Sequence, residues 1–373
     1  MLFAYEYGEP TADEQAHLEA INRARADPLN EAARLGIDLF EGVPPGEISD
    51  QPVQPLSFNA LLLDAARSHS EDMLLRNFFN HVNPDGQSPF DRIMATGYIY
   101  RAAGENIALI GSTGLLNYQE TALELHDNLF IDADYPNRGH RVNILIPDFR
   151  EIGVGLASGD WQQNGKTFNA EIVTTDFAVR SGNNPILLGV VYQDSDNDQN
   201  YDAGEGLADI DIGILQTTDN TTTASAGGYG LEMQDGNYLL TFTRQGLGSL
   251  AKPVHIAEKN VKVDTLLSEF TLPTTDSQCA TLRDMQLLTP CIAAGDNQFI
   301  ADLVLSNPEP LTFTLQHIQK HTLAVTEQCT LYHPDTNIVH FPCVRVGEQS
   351  YWADLTLNAG QTLTITLIDF GLN

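Results

Sequence analysis

Hydrophobic periodicity changes character once along this chain, at the SGNNP segment (residues 181–185), and that change limits the folds open to it. Before it, apolar residues recur at helical spacing. Ala16, Leu18, Ile21 and Ala24 mark a helix that Thr11 or Asp13 can cap. Leu62, Ala66, His69, Met73 and Leu74 line one side of a longer helix that Asn59 can cap, and a further helix is expected from about Gly114 to Leu129. Two β-like runs, REIGVGLASG and FNAEIVTTDFAV, close this half, joined at Asn164 and Gly165, a favoured hairpin pair. After residue 185 come short alternating runs separated by Gly, Asn and Pro. A chain of 373 residues exceeds one hydrophobic core. The expected fold class is therefore α+β: an α-β-α sandwich over residues 1–182, then β-sandwich domains over 183–273 and 274–373.

Charge narrows the partners. Fifty acidic residues against 19 basic ones give a net charge of −31. Nucleic acid is excluded because counterion release needs clustered Lys and Arg, and an anionic membrane surface is disfavoured likewise. No apolar run approaches the ~20 residues that span a bilayer, and the first ten residues lack the basic start and apolar stretch of a secretory leader. Cys279, Cys291, Cys329 and Cys343 all fall in the last hundred residues without a CxxC pair. Such a set reads as disulfides of an oxidising, extracellular compartment, with three pairings open.

Candidate chemistry gathers between Phe78 and Leu145. His81, Glu105, His126 and His140 each stand beside a turn or a glycine-rich segment, in FFNHVNPDG, GENIA, LELHDN and GHRVNIL. Neutral imidazoles can bind zinc, and a nearby carboxylate can orient an imidazole or take a proton from bound water. Polar groups that merely hold the loops would look the same in sequence. No activated nucleophile is evident, since this half has no cysteine and Ser68, Ser70 and Ser88 lack an acylation motif.

The order INRAR, ARSHSEDM, FFNHVNPDGQSPFDRI, GENIA, GHRVNIL and FREIGVG, covering residues 11 to 180, resembles the CAP superfamily of cysteine-rich secretory proteins, antigen 5 and pathogenesis-related 1, in its bacterial cysteine-free form. The resemblance implies a three-layer sandwich with a cavity of two histidines and two acidic residues that can hold Zn2+ or another divalent ion. His81, Glu105 and His140 match three of those positions. For the fourth, Glu124 and His126 compete. Two residues apart on a helix they face different ways, so one alone can enter, and the apolar side made by Leu125 and Leu129 favours His126.

Downstream, Asp194, Asp196, Asp198, Asn200, Asp202 and Glu205 occupy positions 1, 3, 5, 7, 9 and 12 of a calcium loop, although Gln199 replaces the usual sixth-position glycine and strands flank it. Unneutralised, these carboxylates would repel one another, so Ca2+ is expected there as a structural ion. The segment resembles the calcium-binding B-type repeats of bacterial adhesins, of the SdrD/Cna-B kind. Together these readings describe a secreted or cell-surface protein that binds a small hydrophobic ligand, a peptide, an extracellular partner or a divalent metal in a His/Glu cleft, carried on calcium-stiffened β modules. The alternative is a metal-dependent, peptidase-like hydrolase with Glu105 or His140 as general base and His81 as ligand.

Overall fold

The computed structural model describes the whole chain except residues 1–4, 134, 183, 215–216, 245–247, 271–279, 284–285, 295–296, 309–310, 322–329, 334–335, 347–348, 359–363 and 373. The chain packs as two compact units, Met1–Asp209 with Thr222–Gly236 and Ile256–Thr265, and Ile210–Thr221 with Asn237–His255 and Leu266–Asn373. The first unit contains, in order, α1 (Ala12–Ala26), α2 (Pro28–Arg34), β1 (Ser57–Phe58), α3 (Ala60–Arg76), α4 (Pro89–Ala95), β2 (Ala102–Ser112), α5 (Tyr118–Ile131), α6 (Gly139–Leu145), β3 (Glu151–Gln163), β4 (Lys166–Val179) and β5 (Ile186–Tyr192). Thr11 and Glu14 form a capping box on α1, and Asn59 caps α3 through the Leu61 amide. Pro28 opens α2 at a position where its missing N–H costs nothing. Helix α5 begins at Tyr118 rather than near Gly114, whose carbonyl is held by Asn169 Nδ2 at 2.7 Å.

The four strands of the sandwich run in the order β1-β3-β4-β2, parallel between β1 and β3 and antiparallel elsewhere. Alternation divides each strand between two helical layers. Ile152, Val154, Val173 and Phe177 join Leu18, Ile21, Leu125, Leu129 and Phe130 in the core beneath α1, α5 and α6. On the opposite face Ile172 and Ala170 meet Met73, while Ala178 meets Leu62 and Ala65, all from α3. That face admits α3 only because β3 carries glycines there. A Cβ on Gly153 would lie 2.1 Å from the Leu62 carbonyl, and one on Gly155 would lie 2.2 Å from the Arg67 amide nitrogen.

The helical layer also buries two imidazoles. His17 and His126 are both fully buried, edge-on at 5.9 Å between ring centroids. His17 Nδ1 lies 2.8 Å from the Ala122 carbonyl, and His126 Nε2 lies 3.1 Å from Glu31, which Arg23 and Arg34 also bind. A carbonyl and a carboxylate only accept, so each ring donates through that nitrogen. Burial, and then the neighbouring His126, lowers His17 to about 3; burial lowers His126 as well, against the pull of Glu31.

Strand β5 pairs with Gly228–Glu232, Val261–Lys262 and Thr265–Leu266. This small sheet is tied to the sandwich within the same unit: Asn260 Nδ2 donates to Pro55 and Arg150 carbonyls, and Lys262 Nζ reaches Glu19 of α1 at 2.8 Å. In the second unit, Asp211–Ile214, Asn220–Thr222, Gly236–Arg244 and Gly248–Ile256 form one sheet, and eight strands between Ala280 and Leu372 form another. The eight-stranded path begins with Ala280–Arg283 and Gln286–Ala294, which also pair with Ile338–Val346 and Thr330–His333 at its other end. Leu303, Phe313, Phe341 and Leu355 fill its core, and His340 faces Asp354 as a cross-strand pair at 2.6 Å. Cys343 is disulfide-bonded; Cys279 and Cys329 lie outside the described residues. Among the described residues no helix is long and apolar enough to cross a membrane.

Gly155→Ala is expected to lower stability by about 1–3 kcal/mol through overpacking against α3, read as a shifted urea midpoint with the slope unchanged; an unchanged midpoint would mean that α3 can withdraw without cost. The imidazole pair sets an acid limit. Because the folded pKa of His17 lies below its ordinary value of 6.5, the unfolded state binds more protons between the two. Stability is full above about pH 6.5 and falls as pH drops toward about 3. His17→Gln should flatten that acid slope in thermal melts recorded across pH, and an identical slope in the variant would refute the assignment.

Candidate functional site

The NPDG turn places His81. Asn83 Oδ1 accepts from the Asp85 and Gln87 amides, Gly86 takes φ +83°, and Ser88 with Asp91 starts α4 with a capping box. Helix α4 then aims Arg92 back at the turn, where Nη1 donates to the His81 carbonyl at 2.9 Å and Nη2 to Glu105 Oε2 at 2.5 Å. Glu105 projects from β2 with its side chain only 2 % exposed, and its other oxygen, Oε1, lies 2.7 Å from His81 Nδ1. Directly opposite Glu105 in the sheet stands Asp176, fully buried. Burial, and then the Glu105 charge, pushes the Asp176 carboxyl well above the usual carboxylate range. Two facing carboxylates cannot both ionise cheaply in the core, so the charged form of Asp176 is disfavoured beside Glu105.

The second histidine is built the same way from other elements. Asp132 ends α5 in the left-handed conformation at φ +51°, and its Oδ2 accepts the His140 amide at 2.8 Å while Oδ1 lies 2.7 Å from His140 Nδ1. Tyr135 packs on the imidazole with ring centroids 4.2 Å apart. Arg141, also fully buried, donates to the Phe130 and Ile131 carbonyls that end α5 and to the Leu39 carbonyl. Sheet and helix are then joined: Asn106, next to Glu105, donates to the His140 carbonyl at 3.0 Å, and Asn143 Nδ2 donates to Asn106 Oδ1 at 2.9 Å. These bonds fix α6, which carries His140, against β2, which carries Glu105.

The shared design has a chemical consequence. In each pair a buried carboxylate accepts from Nδ1, so Nδ1 carries the hydrogen, and in the neutral ring Nε2 is the nitrogen that offers a lone pair. The His81 side chain is 38 % exposed and that of His140 is 15 % exposed, whereas both carboxylates are 2 % exposed. Glu105 has each oxygen occupied, by His81 and by Arg92, and so orients an imidazole. Among the described residues, no third His, Cys, Asp or Glu brings a donor atom within 4.8 Å of both members of either pair. The four expected cleft residues are thus not one ligand cluster. His126 lies in the helical layer on Glu31, and Glu124, the competing residue, is exposed on α5. Asp132, Arg92 and Asp176 escaped the sequence reading. Asp132 follows a segment that reads as helix and Arg92 lies within one, where a charged residue passes for surface, and only the period of two along β4 points to Asp176.

The acidic loop is drawn together as its spacing suggested. Donor atoms of Asp194, Asp196 and Glu205 lie within 4.8 Å of one another, and so do those of Asp196, Asp198 and Asp202. Asp194 Oδ1 accepts the Asn197 and Asp198 amides, and Glu205 accepts those of Ser195 and Asp202. Gln199 adopts φ +66°, the left-handed conformation for which glycine is usual at the sixth position. Asn200 Nδ2 turns to Asp198. Burial, and then the surrounding carboxylates, raises Asp202.

Residues 18–177 match the model of the CAP family, described as the cysteine-rich secretory protein family. Over 119 residues, 31% of this chain, the sequence is 39% identical to the uncharacterized protein YkwD of Bacillus subtilis strain 168, covering 41% of that protein. Over 115 residues it is 30% identical to the uncharacterized membrane protein YlbC of the same strain, covering 27% of it. The chain thus spans less than half the length of both. An extracellular protein containing a SCP domain from Bacillus anthracis str. Ames aligns with TM-score 0.27 and 20% identity, over 45% of this chain and 41% of that one. With the motifs and the sandwich in place, the family match identifies residues 18–177 as a CAP domain.

Proposed function

We propose that this CAP domain binds a divalent transition metal, Zn2+ by the chemistry of its donors, through Nε2 of His81 and His140, and that the protein works outside the cell as a binding module. One observation carries the reading: each imidazole rests by Nδ1 on a buried carboxylate and turns its other nitrogen outward. Such backing fixes the tautomer and raises ligand basicity. Zinc favours imidazole nitrogen, and two protein ligands leave coordination positions for water or for a partner's own donor. Bound there, the metal would supply a Lewis acid. A hydrolytic role is the second reading, favoured by His140, whose bare Nε2 suits it as general base now that both Glu105 oxygens are taken.

The 194–205 loop, in this proposal, holds Ca2+ through Asp194, Asp196, Asp198, Asn200, Asp202 and Glu205, as in the SdrD/Cna-B modules it resembles. Its role is to stiffen the β segment that presents the CAP domain. The close approach of five carboxylates supports this, since a cation would offset the repulsion among them that adds to burial in raising Asp202.

Calorimetric titration with Zn2+ should show one site in the wild type, lost in His81→Ala and in His140→Ala and weakened roughly 10–100-fold in Asp132→Asn. Equal zinc binding in all four proteins would end the proposal. A hydrolysis screen of wild type against His140→Ala separates the two readings, turnover lost in the variant favouring the enzyme and no turnover in either favouring the binding module. Ca2+ at a hundredfold excess over Kd should stabilise by about 2.7 kcal/mol, seen as a higher Tm that chelation reverses. The double variant Asp194→Ala, Glu205→Ala should melt alike with and without calcium; a wild type indifferent to chelation would disprove the ion.

A further inference from the structure

A cavity of about 380 Å³ lies between α1 and the segment 198–202, and none of its lining residues belongs to the histidine pairs. Its walls are of two kinds. Ala16, Ala20 and Ala26 present methyl groups along one side of α1, leaving room that larger side chains would fill. Across from them stand Tyr192 and Tyr201, their rings 5.9 Å apart at 72°. The polar part of the lining is an internal ion cluster: Lys262 Nζ donates to Glu19 Oε2 at 2.8 Å and to Asp264. Glu19 Oε1 also accepts from Gln15, and Asp264 Oδ1 from the Val190 amide.

The lining discriminates among ligand classes. Anions are repelled, because Glu19, Asp198, Asp202 and Asp264 outnumber Arg23 and Lys262. A wholly apolar molecule would strip water from the Glu19–Lys262–Asp264 cluster without replacing its hydrogen bonds. An organic cation finds its natural seat, between Glu19 and Asp264, already taken by the Lys262 ammonium. A neutral polyol meets none of these obstacles. Its hydroxyls can donate to lone pairs left on the Glu19 carboxylate and accept from the ammonium, which has three hydrogens and two such partners. The C–H face of a sugar ring is apolar and edged with weakly positive hydrogens, a match for tyrosine faces and alanine methyls. The volume falls within the ~300–1,000 Å³ of small-molecule sites, at the small end. We infer that this cavity is a saccharide-binding site that takes one or two neutral sugar rings, separate from the histidine pairs and bordered on one side by Asp198, Asn200 and Asp202 of the acidic loop.

Saturation-transfer-difference NMR on the full chain tests this with glucose, galactose, N-acetylglucosamine, cellobiose, lactose and chitobiose, each at about 5 mM to reach millimolar affinities, with putrescine as the cationic probe. At least one sugar should receive saturation from the wild type. The signal should fall about tenfold or more, over 1.4 kcal/mol, in Ala20→Leu, which fills the cavity. Ala26→Trp, at an exposed position on the end of α1, should do the same without touching the core. Thermal melting confirms that the variants fold. Silence from all six sugars, putrescine binding in their place, or an undiminished sugar signal in a natively melting Ala26→Trp would each overturn the inference.

Discussion

The site depends on a buried guanidinium that makes no ion pair among the described residues. Arg141 spends its donors on the Phe130 and Ile131 carbonyls at the end of α5 and on the Leu39 carbonyl of the preceding loop. Carbonyls at a helix end have no partners of their own, and here they are closed by a side chain from the next helix. That closure fixes where α5 stops. Asp132 can then turn left-handed and offer its carboxylate to the amide and ring of His140. Arg25 works similarly on α6, donating to the Ile144 and Ile146 carbonyls as well as to Gln54 and Phe149. Because burial opposes charge on both guanidiniums, lowering Arg25 to about 9, each must be fully hydrogen-bonded to be tolerated. Replacement by lysine would keep the charge but lose the planar fork that reaches several carbonyls at once.

A carboxylate behind each histidine settles what the cleft can do. An imidazole without a fixed partner can present either nitrogen and rotate freely. His81 and His140 can do neither, because Glu105 and Asp132 select the tautomer and Arg92 and the Asp132-bound amide hold the carboxylates. The metal-facing groups are few and the orienting groups many. Such a site would bind an ion less tightly than a closed four-ligand one and leave it reachable, which suits the proposed binding role. Asp176 fits the same logic, since disfavouring its charged form beside Glu105 avoids a second charge beneath the histidine.

Legibility in the sequence followed the range of the interaction. Helix starts at Thr11 and Asn59 and the Asn164–Gly165 hairpin are local, and each could be read from a few neighbouring residues. The histidines stood out because each adjoins a turn. What paired with them did not, because the partners are joined through tertiary contacts: His140 to Asp132 across a left-handed turn, His81 to Glu105 across 24 residues, Glu105 to Asp176 across the sheet. His126 shows the limit of the helical argument. Its apolar neighbours Leu125 and Leu129 correctly imply burial, but α5 buries that side against α1 and α2, where Glu31 waits. The glycines of FREIGVG read in sequence only as part of a motif; their physical content, the close approach of α3, needs the coordinates.

The charge balance gives these arrangements a common reason. With 19 basic residues against 50 acidic ones, cations are scarce, and several are withdrawn from the surface: Arg25 and Arg141 on carbonyls, Arg92 on Glu105, Arg180 on Glu151, Lys262 on Glu19 and Asp264. An anionic surface repels polyanions and concentrates divalent cations near it, and the repulsion among Asp194, Asp196, Asp198, Asp202 and Glu205 is the local extreme of that field. In the proposal, imidazole nitrogens would discriminate among the ions so gathered, since calcium and magnesium prefer oxygen while zinc accepts nitrogen. The two proposed cation sites differ in hardness and would fill independently, the oxygen loop with the abundant hard ion and the histidine pair with the scarcer zinc.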